Sequence, residues 1–296
     1  MRYADLLREG RDRLQEHGDQ AAGLLLNEIC RGHGINLYMV MDEPMPGELQ
    51  TEYLEGVHRM EKGEPLDYVL GYTPFYGYDF LVSPDVLIPR PETEELVALV
   101  LRLYDEYFPG RKVTVFDVGT GSGAIGISLA LEESAFTVYA SDISEKAVAQ
   151  AEKNRDRLNA GVSFLVGSLL EPYIQAGLRC DILVCNPPYI PSQEQIERSV
   201  RDFEPHVALF GGPDGLRFYR ELFATARQVL QPDALMAFEM GWNQGQALTD
   251  LAREYFPGAQ AHIEQDINGK DRMFWLRIGD TGDPEGGEGQ NGHENE

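Results

Sequence analysis

After Gly110 the sequence alternates short apolar runs with helical patterns, and this alternation restricts the fold more than any other feature of the chain. Residues 113–117, 137–142, 162–166 and 234–240 read as strands, as does a run centred on Ile182, Leu183 and Val184. Helical patterns at 124–132, 145–158, 214–230 and 244–256 separate most of them. Alternation of this kind implies an α/β fold: a doubly wound, mostly parallel sheet with helices on both faces. The last two runs, 262–264 and 272–278, have no helix between them. One of them is expected to pair antiparallel at the sheet edge.

The first seventy-one residues have a different texture. Leu6, Leu7, Leu14, Leu24, Leu25, Leu26 and Ile29 recur at helical spacing, with Asp19 as a candidate N-cap for the second run. Residues 49–60 resume the pattern after Pro44 and Pro46. Residues 1–71 therefore form a small helical domain. Residues 72–91 begin with an aromatic, alternating stretch centred on Gly77, a β-hairpin linker. Pro91 followed by Glu92, Glu94 and Glu95 starts a helix running to about residue 108, with acids over its positive end. The α/β domain spans 92–279.

Composition bounds what such a chain does. It carries a formal net charge of −24 over 296 residues. Residues 280–296 hold six acids and no Lys or Arg, and without them the rest still carries −18. That tail reads as disordered, and a body this acidic predicts no direct nucleic-acid partner, since such a grip needs a basic face. No stretch is apolar enough to span a bilayer, and the charged start is not a signal peptide. Cys30, Cys180 and Cys185 show neither metal-ligand spacing nor a disulfide framework, so a metal site is not expected and a reducing, cytoplasmic location is.

Between the first α/β strand and its helix lies Asp117-Val118-Gly119-Thr120-Gly121-Ser122-Gly123-Ala124. The three glycines allow a tight turn and close backbone approach to a ligand. Asp142 ends the next strand, where an acid can accept both ribose hydroxyls of an adenosine. The same glycines satisfy a dinucleotide pattern, so NAD is one reading. Asp117 weighs against it: a carboxylate beside the turn repels a pyrophosphate and suits an ammonium or sulfonium. An adenosine with a cationic end is S-adenosylmethionine.

The strand at Ile182 ends on Asn186-Pro187-Pro188-Tyr189. Two prolines fix two φ angles and delete two N–H donors. What remains is rigid, rich in acceptors and followed by a ring. On these four residues alone, a stiff strand exit and a clamp for a flat group that donates hydrogen bonds are both open.

Further motifs carry a resemblance. They are residues 65–71 (Pro-Leu-Asp-Tyr-Val-Leu-Gly), 88–94 (Ile-Pro-Arg-Pro-Glu-Thr-Glu), 117–123, 141–144 and 186–189, then 204–212 (Glu-Pro-His-Val-Ala-Leu-Phe-Gly-Gly), 214–216, 239–241 and 271–272. With them the chain, apart from its tail, resembles the peptide chain release factor N(5)-glutamine methyltransferases, class I S-adenosylmethionine-dependent enzymes with a Rossmann-like fold. The resemblance implies that Asp117, Gly119, Thr120, Gly121, Ser122, Gly123, Asp142, Ser168, Leu169 and Asn186 bind S-adenosylmethionine. Ser168 stands where these enzymes often carry an acid that contacts adenine. The resemblance further implies that Asn186, Pro187, Pro188 and Tyr189 hold the substrate, with Asn186, Pro187 and Tyr189 catalytic. The acceptor would be the glutamine of a Gly-Gly-Gln motif in class 1 release factors, recognised by the helical domain. A ribosomal-protein glutamine, a DNA adenine and a non-catalytic S-adenosylmethionine-binding protein are the alternatives. His206 and His262 receive no role.

Overall fold

The computed structural model describes residues 1–15, 18 and 20–279. The proposed N-cap Asp19 and the acidic tail lie outside the described residues.

The chain opens with helices α1 (Tyr3–Arg13), α2 (Ala21–Gly32), α3 (Leu37–Val40), α4 (Gly47–Glu61) and α5 (Leu66–Leu70). Apolar residues at helical spacing, among them Leu6, Leu25, Leu26, Tyr53 and Val57, close into a core of their own. A hairpin follows, β1 (Tyr72–Phe75) and β2 (Tyr78–Leu81), paired antiparallel across the two-residue turn at Tyr76 and Gly77. Helix α6 (Pro91–Tyr107) starts with proline in its first turn and Glu92 and Glu94 behind it, as the sequence predicts.

The α/β domain then runs β3 (Val113–Val118), α7 (Ala124–Glu132), β4 (Phe136–Asp142), α8 (Glu145–Leu158), β5 (Val162–Val166), α9 (Glu171–Gln175), β6 (Cys180–Cys185), α10 (Arg198–Phe203), α11 (Arg217–Ala226), β7 (Leu230–Glu239), α12 (Gly245–Tyr255), β8 (Gln260–Gln265) and β9 (Asp271–Ile278). These strands form one seven-stranded sheet in the order β5-β4-β3-β6-β7-β9-β8. The five from β3 to β7 are parallel. The central strands are covered on both faces. Val113, Val115, Ile182 and Val184 face α6 and α7, while Phe116, Val118, Leu183 and Cys185 face the side of α11 and α12.

Three details differ from the sequence reading. The strand that runs against the others is β9, one place in from the edge, and β8 pairs antiparallel with it outside. Helix α11 is shorter than residues 214–230: Asp214 accepts from the Leu216 N–H at 3.1 Å just before it, and Leu230 already belongs to β7. Short helices α5, α9 and α10 carry too few turns to show a periodicity. Among the described residues, no helix is long and apolar enough to cross a membrane, and no cluster of His, Cys, Asp or Glu could hold a metal ion.

The strand order positions the site. The chain moves outward from β3 through β4 to β5, then returns to lay β6 on the other side of β3. A reversal of this kind opens a crevice at the carboxyl ends of the two strands. Val118 pairs with Cys185 there. The glycine turn and the Asn186 loop therefore leave the sheet side by side.

Candidate active site

Gly119 and Gly121 sit in the glycine turn with φ of +74° and +56°, a region costly for any residue with a Cβ. The turn is held from two sides. Asp117 Oδ2 accepts from Thr120 Oγ1 at 2.6 Å and from the Gly126 N–H at 2.9 Å. Asp142 Oδ2 accepts from the Gly121 N–H at 2.9 Å, and its Oδ1 accepts from the Ser144 N–H at 2.9 Å. Burial pushes both carboxyls above the ordinary carboxylate range, Asp117 to about 6. Asp117 Oδ1 is buried with no hydrogen-bond partner among the described residues.

A cavity of about 320 Å³ opens over this turn. Gly119, Gly121, Asp142, Ser168, Leu169 and Asn186 line it. Leu169 takes a left-handed φ of +46°, which brings the exit of β5 over the crevice. Asp117, Thr120, Ser122 and Gly123 do not line the cavity. The Thr120 hydroxyl turns inward to Asp117, and the Ser122 carbonyl accepts from Asn154 Nδ2 at 2.8 Å. Asn154 also pairs with both backbone groups of Leu81, so it ties the hairpin to the glycine turn.

A second cavity, of about 260 Å³, also borders the Asn186 loop. Asn186, Pro187 and Tyr189 line it together with Arg90, Glu197 and Glu239. Leu87, Asn186, Pro187 and Ala208 border both cavities. Asn186-Pro187, with Leu87 and Ala208, thus stands where the two cavities meet.

Neighbouring segments tie down that loop. The Tyr189 carbonyl accepts from Gln244 Nε2 at 3.0 Å, and the Ile190 carbonyl from the Gly211 N–H at 2.9 Å. Glu204, buried beneath the second cavity's wall, accepts from the Ile88 N–H at 3.2 Å and from Arg90 Nη2 at 2.5 Å. The 88–94 and 204–212 motifs are therefore two halves of one brace. Glu239, at the end of β7, accepts from Thr93 Oγ1 at 2.6 Å, Asn186 Nδ2 at 2.9 Å and Tyr189 Oη at 3.2 Å. With Nδ2 directed at that carboxylate, Asn186 Oδ1 has no donor among the described residues. Burial raises the pKa of Glu239 and that of the Tyr189 phenol. Sequence reasoning gave no role to Thr93, Glu239, Gln244 or Arg272, although Thr93, Glu239 and Arg272 stand within the quoted motifs. His206 bonds the Arg201 carbonyl at 2.7 Å and His262 stacks on Trp275; neither lines either of these two cavities.

Comparison with known proteins settles the family. Residues 5–71 match the model of the PrmC N-terminal domain and residues 98–204 that of the methyltransferase small domain. The chain is 41% identical to a release factor glutamine methyltransferase of Bacillus anthracis over 94% of its length and 100% of that protein's. It is 43% identical to that of Bacillus subtilis over 88% and 91%. The chain belongs to the release factor glutamine methyltransferase family. As a member of that family it is a methyltransferase with a class I fold. The solved protein-(glutamine-N5) methyltransferase of Alicyclobacillus acidocaldarius is 31% identical, over 68% of this chain and 99% of that one, with a TM-score of 0.43. The catalytic domain of hMettl16, solved with an RNA hairpin, is 15% identical over 79% and 83%, with a TM-score of 0.52, a likeness of fold alone.

Proposed function

We propose that this enzyme uses S-adenosylmethionine to methylate the side-chain amide nitrogen of the glutamine in the Gly-Gly-Gln motif of class 1 peptide chain release factors. The observation that carries this reading is the meeting of two cavities at one acceptor-rich loop, which lines both.

The residues of the first cavity fit the donor. Each oxygen of Asp142 accepts one backbone N–H and retains a lone pair for a ribose hydroxyl. Ile143 and Leu169 offer apolar flanks to a flat base, and the unpartnered oxygen of Asp117 adds negative potential behind the turn. When bound, S-adenosylmethionine supplies an electrophilic methyl on a sulfonium sulfur.

The second cavity suits a carboxamide. The nitrogen of a glutamine amide is a poor nucleophile because its lone pair is delocalised, but its two N–H groups make it easy to orient. Asn186 Oδ1 and the Pro187 carbonyl can accept one each, and neither proline offers a competing donor. Tyr189 supplies a ring face. Positive charge developing on the nitrogen then meets two fixed dipoles and a π-system in a half-enclosed site. The methyl–sulfur bond would break as the nitrogen–carbon bond forms, and the substrate proton would pass to solvent only afterwards, so no base is needed for attack. The rate comes from orientation.

The test is mass spectrometry of candidate release factors after incubation with the enzyme and S-adenosylmethionine. One methyl gained on the Gly-Gly-Gln glutamine is the expected result. Methylation confined to a ribosomal-protein glutamine or to DNA adenine would replace this reading with the corresponding alternative.

A further inference from the structure

The amide of Asn186 has a problem that its sequence motif does not solve. Its oxygen and nitrogen branches are nearly the same shape. Turned by half a revolution, the side chain would offer NH₂ to the substrate's own N–H, donor against donor. Something outside the motif must choose the branch.

The structure places a buried carboxylate at that point. Glu239 is 2% exposed, and three donors from two segments converge on it. Thr93 of α6 and Asn186 share Oε2, while Tyr189 takes Oε1. Asn186 Nδ2 also lies 3.3 Å from Thr93 Oγ1. A carboxylate can only accept, and the Thr93 hydroxyl has committed its proton to it at 2.6 Å. The amide atom that faces both must therefore be the nitrogen, whichever way the branches are assigned. Arg272 of β9, paired with Asp266 at 3.2 Å, supplies positive charge near Glu239, and Glu92 supplies an opposing negative one.

We propose that Glu239 is a positioning residue for methyl transfer: it fixes the Asn186 amide with its oxygen toward the acceptor substrate and orients the Tyr189 phenol in the same act. This rests on the reading of Asn186 as the acceptor for the substrate amide. Removal of the carboxylate does more than loosen the side chain. The Thr93 hydroxyl, 4% exposed, loses its acceptor. Its nearest replacement is the Asn186 amide, which must flip to accept. Glu239→Ala thus favours the unproductive branch. Glu239→Gln does not, because its amide oxygen can face Thr93 and Asn186 while its NH₂ donates to the Tyr189 oxygen.

The experiment uses the full chain with selective ¹⁵N labelling of asparagine, the Asn186 side-chain pair being assigned by its loss in Asn186→Ala. In the wild type and Glu239→Gln, that pair is expected to be shifted and protected from exchange. In Glu239→Ala it should lose protection. Turnover in Glu239→Gln should stay within about tenfold of wild type, and in Glu239→Ala it should fall about 100-fold with KM for S-adenosylmethionine and for the release factor unchanged. Protection that survives in Glu239→Ala, or Glu239→Gln as slow as Glu239→Ala, would overturn the proposal, the latter in favour of an essential charge. Should Glu239→Ala not fold, an unprotected Asn186 pair in the wild type overturns it equally. A wild type that methylates no glutamine would remove the functional reading, whereas the spectra would still report the orientation of the amide.

Discussion

Gly215 lies against the backbone of Tyr189 so closely that a Cβ on it would stand 2.2 Å from the Tyr189 carbonyl oxygen and 2.5 Å from the Gln244 nitrogen bonded to that oxygen. Its φ is +75° as well. Gly215→Ala is expected to cost about 2–4 kcal/mol, overpacking added to a left-handed backbone. Gly110→Ala is the control: φ is +70° but a Cβ there meets nothing within 4 Å, so only the backbone term of about 1–2 kcal/mol remains. Denaturant unfolding of the two variants separates the contributions, and equal losses would mean that close approach to Tyr189 contributes nothing.

Asp142→Ala should weaken S-adenosylmethionine binding by about 1–3 kcal/mol, the range for losing a charge-assisted hydrogen bond in a buried site. Calorimetry provides the measurement. An unchanged affinity would detach Asp142 from the ribose, and tighter binding of NADH than of S-adenosylmethionine by the wild type would remove the donor assignment altogether.

Asn186→Ala takes one acceptor away from the substrate amide and should lower single-turnover methyl transfer by about 100-fold. Affinity for the release factor should change little, because a protein interface draws on many residues. Near-normal rates in this variant would return Asn186-Pro187-Pro188-Tyr189 to the role of a stiff strand exit.

Asp117 gives a pH signature. Burial penalises the anion and lifts its folded pKa to about 6, above the ordinary aspartate value of 3.8. Between pH 4 and 6 the folded state therefore binds more protons at this site than the unfolded state. Its contribution to stability is fully present below the unfolded pKa and is lost as pH rises through 6, by about 3 kcal/mol. Asp117→Asn removes the charge and should abolish this decline. Unfolding curves for both proteins across pH 4–7 test the difference, and parallel pH profiles would refute the assignment.

Much of this arrangement was legible in the chain because it is local. The 117–124 turn announces itself by glycine spacing between a strand and a helix, and Asp142 by its place at the end of the next strand. Glu239 was not legible. It lies fifty-three residues beyond Asn186, and only the pairing of β6 with β7 makes them neighbours. The position of β9 did leave a signal: Met273, Phe274, Trp275 and Leu276 form a continuous apolar run that is buried throughout, whereas β8 alternates with polar residues and stays partly exposed. Continuous burial belongs inside a sheet and alternation at its edge. The inward turn of the Thr120 hydroxyl had no counterpart in the sequence, since a serine or threonine in a glycine turn can face either way.

The meeting of two cavities at Asn186-Pro187 also bears on how such a catalyst can diverge. Within residues 118–169 the lining serves only the cavity over the glycine turn, whereas the second cavity draws on Arg90, Ile190 and Leu209, from segments that also lend Leu87 and Ala208 to the first. Exchanges at Arg90, Ile196 or Val200, which border the second cavity and not the first, can reshape it without touching the lining of the other. On the proposed reading, substrate choice and methyl-donor chemistry are in this sense separately heritable, meeting at Leu87, Asn186, Pro187 and Ala208.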